Sequence, residues 1–420
     1  MNTSFSWKQA STNILALFSG TALARGLLAI TMIVIARQLG PEAYGQYSAS
    51  IALVGMATVL FSLGLDGWLL YRGGREPEQL AVRFTSAFTL KIALGAIWLV
   101  GFWAIAPHLN QDSFPWILIV LGSLSLWLEE IAKIVQSAFK ACLRNDLTLI
   151  LMILAQGSFL LITLWLASQQ SQTPESYMGG RLLAAVLGVV VSSILIVRRI
   201  GLRLRLQTLG PTLRGTMPFA ASIAFALIYG RADLTIVAGE LGSAAAGIYA
   251  PAVTLTNALF LIPAAVYGVM VPTLSRGWAE NPHWVRRTAT LLIPGLVLLG
   301  IVLGAGLAAV AHPLTVLLYG QEFAASGEIL VTLSGVLALR CPNMALAAVL
   351  VAVGWQVPRV GAQAVAALLN VSVNLLFVHR IGVIGVARVY VLTEFVLFLG
   401  YLGLFLIWMR KKSTNPYGSC

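Results

Sequence analysis

The sequence predicts an all-α polytopic membrane protein with about twelve transmembrane helices in two parallel six-helix bundles. Three observations carry this prediction. Hydrophobic residues make up 59% of the 420-residue chain and charged residues only 10%, whereas a soluble domain carries about a quarter charged residues. Twelve apolar stretches reach or approach the roughly 20 residues that a helix needs to cross a bilayer. A nine-residue pattern also occurs twice, once in each half of the chain.

The predicted spans follow one another with short connections. They lie, in order, at residues 14–36, 47–71, 84–106, 115–139, 147–167, 181–197, 215–239, 247–275, 288–312, 327–353, 360–378 and 386–409. The first six spans form a predicted N-terminal bundle at 1–200, and the last six form a C-terminal bundle at 215–420. A basic cytoplasmic linker at 201–214 joins the two bundles.

The repeated pattern indicates that the two halves are copies of one unit. Residues 39–47 read LGPEAYGQY and residues 241–249 read LGSAAAGIY, so both contain Leu-Gly-x-x-Ala-x-Gly-x-Tyr. We expect Gly40 and Gly242 to take the left-handed conformation that ends a helix. Six predicted spans separate the two copies, and an even number preserves orientation, so the halves run parallel. Many transporters are built from two such halves, with the substrate held between them.

The basic residues are distributed unequally between the two sides of the membrane. Of the 27 Lys and Arg residues, 18 fall in the N-terminal tail and the even-numbered connections, and 3 are assigned to the odd-numbered ones, namely Arg37, Arg181 and Arg380. Cytoplasmic loops carry such an excess, so both termini are predicted to be cytoplasmic. The formal net charge of +12 therefore reflects topology and contact with anionic membrane lipids, and no nucleic-acid partner is predicted.

Four arginines lie inside predicted spans, not counting Arg181, which stands at the first residue of the sixth span and is assigned to the connection before it. A charged side chain at the bilayer centre costs at least about 2.5–3.5 kcal/mol, so each should face protein or a wet cavity. We interpret them as cavity cations that bind an anionic substrate, because Arg forms forked hydrogen bonds to phosphate oxygens. The alternative for each is an interhelical salt bridge. These candidates are Arg25, Arg231, Arg340 and Arg388.

Several carboxylates also fall within spans and are candidates for binding a coupling ion, Na+ or H+. Glu129 and Glu130 lie four and three residues before Lys133, which places all three on neighbouring positions of one helix. Lys133 can neutralise one of them, and the alternative to ion coupling is this intrahelical pair. The other candidates are Asp233, two residues from Arg231, and Asp66, which with Lys91 could also snorkel towards the interface.

Motifs for catalysis are missing from the sequence. It contains no Walker A motif and no nucleophile elbow. The four histidines, His108, His283, His312 and His379, have no metal-ligand spacing. We therefore predict a protein that is not an enzyme, with no catalytic residue, no metal site and no organic cofactor.

Three stretches carry a resemblance to a known family. They are Arg37 to Tyr47 (RQLGPEAYGQY), RADLTIVAGELGSAAAGIYAPA at 231–252 and PLTVLLYGQEFAASGEIL at 313–330. With these, the chain resembles the polysaccharide-transporter branch of the multidrug/oligosaccharidyl-lipid/polysaccharide (MOP) exporter superfamily, which contains the O-antigen and exopolysaccharide flippases. The resemblance implies two bundles around a central cavity, with Arg25 and Arg231 on helices that line it.

The resemblance also implies a function. It is the translocation of a polyprenyl-diphosphate-linked oligosaccharide, by alternating access, from the cytoplasmic to the outer leaflet of a bacterial inner membrane. A polysaccharide polymerase and a chain-length regulator are the implied partners. One alternative is a cation-coupled small-molecule antiporter of the same superfamily, which predicts free carboxylates in the cavity. The second alternative is a membrane polymerase or glycosyltransferase. It is disfavoured because such enzymes usually carry their catalytic residues on a long outward loop, and the longest outward loop here, 168–180, is short.

Overall fold

The computed structural model describes residues 7–203 and 205–410, and within them every regular element is helical. This confirms the predicted all-α class. Four short 3-10 turns lie at Pro77–Gln79, Ala106–His108, Leu206–Thr208 and Gln321–Phe323. The α-helices are α1 (Trp7–Ala57), α2 (Val59–Ser62), α3 (Leu65–Arg75), α4 (Leu80–Ile105), α5 (Trp116–Ala141), α6 (Asn145–Ser168), α7 (Pro174–Arg199), α8 (Leu209–Leu241), α9 (Ser243–Leu259), α10 (Leu261–Glu280), α11 (Pro282–Tyr319), α12 (Ser326–Ala352) and α13 (Gln356–Arg410).

Glycines set the breaks between consecutive helices. Gly40 interrupts α1 with φ 71° and ψ 175°, and Gly382 interrupts α13 with φ 64° and ψ −171°. Gly242 and Gly320 end α8 and α11 with nearly the same angles, φ 92° and 100° with ψ 171° in both. This region of backbone space is essentially reserved for glycine. The positive φ at Gly40 and Gly242 was predicted, but ψ near 180° makes both extended rather than left-handed helical.

The helices account for the predicted twelve spans. Eight stretches of the described residues are long and apolar enough to cross a membrane. Two of these stretches, Gly20–Ser62 and Gln356–Arg410, contain a glycine break and so hold two helices each. α5 and α8, which carry charged residues along their length, bring the total to twelve. The chain is therefore a multi-pass membrane protein.

The chain divides into two compact units, residues 1–247 and 248–420. In the first unit, α3, α4, α5 and α6 share a core around Leu69, Phe84 and Val135, and α8 packs on α1. The predicted linker at 201–214 overlaps both the connection between α7 and α8 and the first turns of α8, which begins at Leu209. The predicted domain limits themselves remain a prediction.

In the second unit the core lies between α12 and α13. Leu346 and Leu350 of α12 pack there with Tyr401 and Phe405 of α13. α12 is the most enclosed of the candidate spans, with 67% of its most apolar window buried against 12–33% for the others. It is therefore the helix around which the described part of this unit is built.

The two copies of the repeated pattern contact each other within the first unit. A Cβ added at Gly45 would collide with the carbonyl oxygen of Ser243, and one added at Gly247 would collide with that of Pro41. Pro41 and Ser243 occupy the same position of the pattern, as do the two glycines, so the contact is reciprocal. Only a residue without a side chain allows the two backbones to approach this closely. The glycines of the pattern are thus required by packing.

Candidate functional site

Four charged side chains from three helices form one cluster in the first unit. Lys91 of α4 places its Nζ 2.9 and 2.7 Å from Oδ1 and Oδ2 of Asp66 and 2.9 Å from Oε2 of Glu130. Lys133 lies 2.5 Å from Oε1 of Glu130. The Ser62 hydroxyl donates to Oε2 of Glu130 at 3.2 Å. The cluster has two positive and two negative charges, so it is neutral as a whole.

This cluster changes the interpretation of the residues in it. The expected pairing of Lys133 with one of the two neighbouring glutamates is confirmed, and its partner is Glu130. The expectation that Lys91 snorkels towards the interface is wrong, because its side chain is fully buried. A buried ammonium needs its charge compensated nearby, and the carboxylates of Asp66 and Glu130 supply that compensation. A role of Asp66 or Glu130 in ion coupling stays a prediction.

Glu129 forms a second, separate ion pair. Nη2 of Arg181 donates a hydrogen bond to Oε2 of Glu129 at 3.1 Å, and Nε of Arg181 lies 2.9 Å from Oε1. The Arg181 guanidinium also lies 5.7 Å from the ring centre of Phe159. Glu129 is therefore neutralised by another helix rather than by Lys133, and its part in ion coupling is likewise a prediction.

The sequence reasoning missed Arg181, which it assigned to an outward connection. α7 begins at Pro174, so Arg181 lies about two turns inside the helix. The missed signal was Thr173-Pro174-Glu175, since Pro is favoured at the first position of a helix and acidic residues in its first turn. The polar composition of residues 174–180 had hidden this start in the hydropathy pattern.

Arg231 of α8 is bound by backbone rather than by a carboxylate. Its Nη1 donates to the carbonyl oxygen of Ile51 at 3.0 Å. The guanidinium lies directly against Gly55, where an added Cβ would collide with it. No ion pair joins Arg231 to Asp233 within the described residues, and Asp233 is buried at 5% exposure. Gly55 therefore provides the space for Arg231, a role that no local sequence signal revealed.

Arg25 and Arg388 are the two candidate cations that remain exposed. Neither has an ion-pair partner in the described part of the chain. Arg25 lies on α1 in the first unit, and Arg388 lies on α13 in the second. An exposed guanidinium keeps all five of its N–H donors available for a ligand.

Arg340 belongs to a buried polar network in the second unit. Its Nε lies 3.0 Å from Oε1 of Glu394, and its Nη1 donates to the hydroxyl of Tyr390 at 3.2 Å. Its guanidinium stands 4.1 Å from the ring centre of Phe260. Asn343 donates to Oε2 of Glu394 at 2.8 Å. Arg340 thus forms the interhelical salt bridge that was the alternative, and substrate binding by it stays a prediction.

Solved structures share this fold. An inward-facing multidrug resistance MATE family transporter of the MOP superfamily aligns with a TM-score of 0.78 at 15% identity, over 93% of this chain and 96% of that one. The lipid II flippase MurJ aligns with a TM-score of 0.68 at 14% identity, over 96% of this chain and 94% of that one. An outward-facing multidrug resistance MATE family transporter aligns with a TM-score of 0.65 at 16% identity, over 96% of this chain and 97% of that one. The chain therefore has the fold of MOP-superfamily transporters.

The family follows from the sequence itself. The model of a family described as "Polysaccharide biosynthesis protein" matches residues 34–328, which is more than half of the chain. The chain belongs to this family, and the resemblance that the motifs carried is confirmed. No curated protein sequence matches the chain significantly.

Proposed function

We propose that this protein is a flippase that moves a polyprenyl-diphosphate-linked oligosaccharide from the cytoplasmic to the outer leaflet of a bacterial inner membrane. The product would serve the synthesis of O-antigen or exopolysaccharide. The observation that carries the proposal is the match to a polysaccharide biosynthesis family over residues 34–328 of a chain with a transporter fold. A lipid II flippase with the same fold supports transport of a lipid-linked sugar.

The charges of the described residues favour an anionic substrate. Asp66, Glu129, Glu130 and Glu394 each contact a Lys or Arg side chain. Arg25 and Arg388, in contrast, have no carboxylate partner there. A diphosphate matches such free guanidinium groups, because they bind phosphate oxygens through forked hydrogen bonds.

The rival antiporter would need a carboxylate to hold its cationic substrate or coupling ion. Four carboxylates of the described spans are already paired, so a cation would have to displace a lysine or arginine first. Removing one partner from a buried ion pair costs several kcal/mol. This cost disfavours the antiporter as long as the pairs persist. Coupling to Na+ or H+ remains part of the proposal, with Asp233 as the further candidate.

The orientation and the partners are also proposed. The excess of basic residues on one side of the predicted topology supports cytoplasmic termini. A polysaccharide polymerase and a chain-length regulator would act on the product at the outer leaflet. They would join repeat units, whereas this chain itself is proposed to perform no covalent step.

The first experiment deletes the gene and locates the lipid-linked oligosaccharide by leaflet. A membrane-impermeant probe for the sugar is applied to intact cells, after outer-membrane permeabilisation, and to inverted vesicles. We expect single repeat units trapped on the cytoplasmic leaflet. Unpolymerised units on the outer leaflet would instead indicate a polymerase. Unchanged polysaccharide would leave the antiporter as the remaining candidate function.

The complementation of that deletion tests the role of Arg25. We expect Arg25→Ala to reduce outer-leaflet product by roughly tenfold or more, because hydrogen bonds to a charged group contribute about 1.5–3 kcal/mol. Arg25→Lys should restore part of the loss. The matched control is Arg144→Ala, which removes an exposed arginine that pairs with Asp146. If cells with Arg25→Ala and cells with the control make equal amounts of outer-leaflet product, Arg25 does not bind the substrate.

A further inference from the structure

The first unit contains a pocket with several polar side chains in its wall. Its volume is about 140 Å³, roughly ten times what one water molecule needs. Ala132, Ala155, Ala185 and Gly188 form much of its wall and leave the space open, because none of them carries a long side chain. α5, α6 and α7 supply most of the lining, and Ala24 adds a contact from α1.

The polar groups of this pocket lie on two helices. Glu129, Lys133 and Gln136 line it from α5, and their spacing of four and three residues places them on one face of the helix. Gln156 lines it from α6. Four hydrogen-bonding side chains therefore converge on one small space.

Two of these side chains lack a partner. Within the described residues, the carboxamides of Gln136 and Gln156 make no hydrogen bond. Both residues are partly buried, and Gln156 lies midway along a candidate span. A polar group at membrane depth needs a hydrogen-bonding partner, because lipid chains offer none. The two carboxamides thus indicate a polar occupant.

The charges around the pocket decide which kind of occupant fits. Glu129 is neutralised by Arg181, and Lys133 is paired with Glu130. The two charged side chains of the lining are therefore both compensated, and neither leaves a positive charge for a diphosphate inside the pocket. A carboxamide both donates and accepts hydrogen bonds, which matches hydroxyl groups. An uncharged sugar ring fits these groups, and a phosphate does not.

We propose that this pocket is a subsite for a sugar residue of the transported lipid-linked oligosaccharide. The inference rests on the proposed function and adds to it the part of the substrate that binds here. Arg25 directly follows Ala24 on α1, so a free cation lies one residue from the pocket lining. In the substrate, the anionic diphosphate is attached directly to the first sugar. A cation beside a pocket for hydroxyl groups matches this order.

The test measures how much a sugar adds to the binding of a lipid diphosphate. The full-length protein in nanodiscs is titrated with farnesyl diphosphate and with farnesyl diphosphate that carries glucose, galactose or N-acetylglucosamine. Neutral hydrogen bonds contribute about 0.5–1.5 kcal/mol each, which corresponds to about 2- to 10-fold in affinity per bond. We expect at least one glycosylated probe to bind more tightly than farnesyl diphosphate by this factor.

Two variants locate the effect in the pocket. Gln156→Leu removes one carboxamide, and Ala155→Leu fills the space. Each should abolish the advantage of the glycosylated probe and leave the Kd for farnesyl diphosphate unchanged. The matched control is Gln169→Leu, at an exposed glutamine beyond the end of α6, which should keep the advantage. Thermal unfolding of all variants checks that they remain folded.

The outcomes separate the subsite from the proposed function. If no probe binds, farnesyl diphosphate included, and the wild-type protein does not flip the oligosaccharide, the proposed function fails. If farnesyl diphosphate binds but no sugar improves its affinity, the sugar subsite is refuted and the flippase is not. An advantage that persists in Gln156→Leu and Ala155→Leu also refutes the subsite and leaves water as the occupant of the pocket.

Discussion

Replacing Lys91 by Met is the sharpest test of the charge cluster in the first unit. Met keeps the length of the side chain and removes its charge. Lys91 is fully buried and contacts both Asp66 and Glu130. After the substitution Glu130 still has Lys133, whereas Asp66 loses the lysine that contacts both of its carboxylate oxygens.

The size of the effect follows from this loss. Removing one partner of a buried ion pair costs about 3–5 kcal/mol, because the other charge is left uncompensated. A quarter of the Asp66 side chain is exposed, so water relieves part of the cost, and we expect about 3 kcal/mol. Asp66→Asn combined with Lys91→Met restores neutrality. The double variant should therefore recover at least half of the lost stability.

The assay is reversible unfolding by sodium dodecyl sulfate in mixed micelles, followed by far-ultraviolet circular dichroism. Lys133→Met is the matched control. Its side chain is 51% exposed, and Glu130 keeps Lys91, so we expect a change of at most about 1 kcal/mol. A Lys91→Met protein as stable as the wild type would refute the reasoning. So would a double variant less stable than Lys91→Met alone.

Three further predictions test other parts of the chain. Gly247→Val should lower the free energy of unfolding by about 1–3 kcal/mol in the same assay, because the valine side chain would meet the Pro41 backbone. Gly230→Ala is the control and should leave this free energy unchanged, because the space around Gly230 is open. Arg340→Gln should cost about 3–5 kcal/mol of unfolding free energy, because it removes the arginine that compensates the charge of the buried Glu394, and Arg388→Gln should not. A hydrogen bond from Arg83 lowers the pKa of Glu76 below its usual 4.5, so the stability that this carboxylate adds is complete above that pH and is lost as the pH falls further towards the lowered pKa. The difference in stability between Glu76→Gln and the wild type should therefore shrink over the same acidic range.

Most of the fold was predictable because lipid imposes a simple rule on the sequence. Every span needs a long apolar helix, and hydropathy reveals such helices directly. The method fails where a helix starts with polar residues. The sixth span was predicted from residue 181, whereas α7 begins at Pro174, because residues 174–180 (PESYMGG) are mostly polar or small.

The charge pairs show which part of a site local spacing can predict. The spacing of Glu129, Glu130 and Lys133 on one helix predicted that the lysine pairs with one of the two glutamates, and it pairs with Glu130. Lys91 and Asp66 are on different helices, as are Arg181 and Glu129. Such pairs depend on how helices pack, which no spacing within one helix encodes. The bond of Arg231 to the backbone of Ile51 depends in addition on the open space at Gly55.

The most direct test of the flippase is reconstitution. The purified protein is placed in liposomes that contain the host's polyprenyl-diphosphate-linked repeat unit, and a membrane-impermeant glycosidase or lectin reports how much sugar reaches the accessible leaflet over time. We predict that the protein makes the protected fraction accessible, whereas protein-free liposomes and liposomes with Arg25→Ala protect it much longer. If the wild-type protein, correctly folded, leaves the repeat unit as protected as protein-free liposomes do, the chain does not flip this lipid.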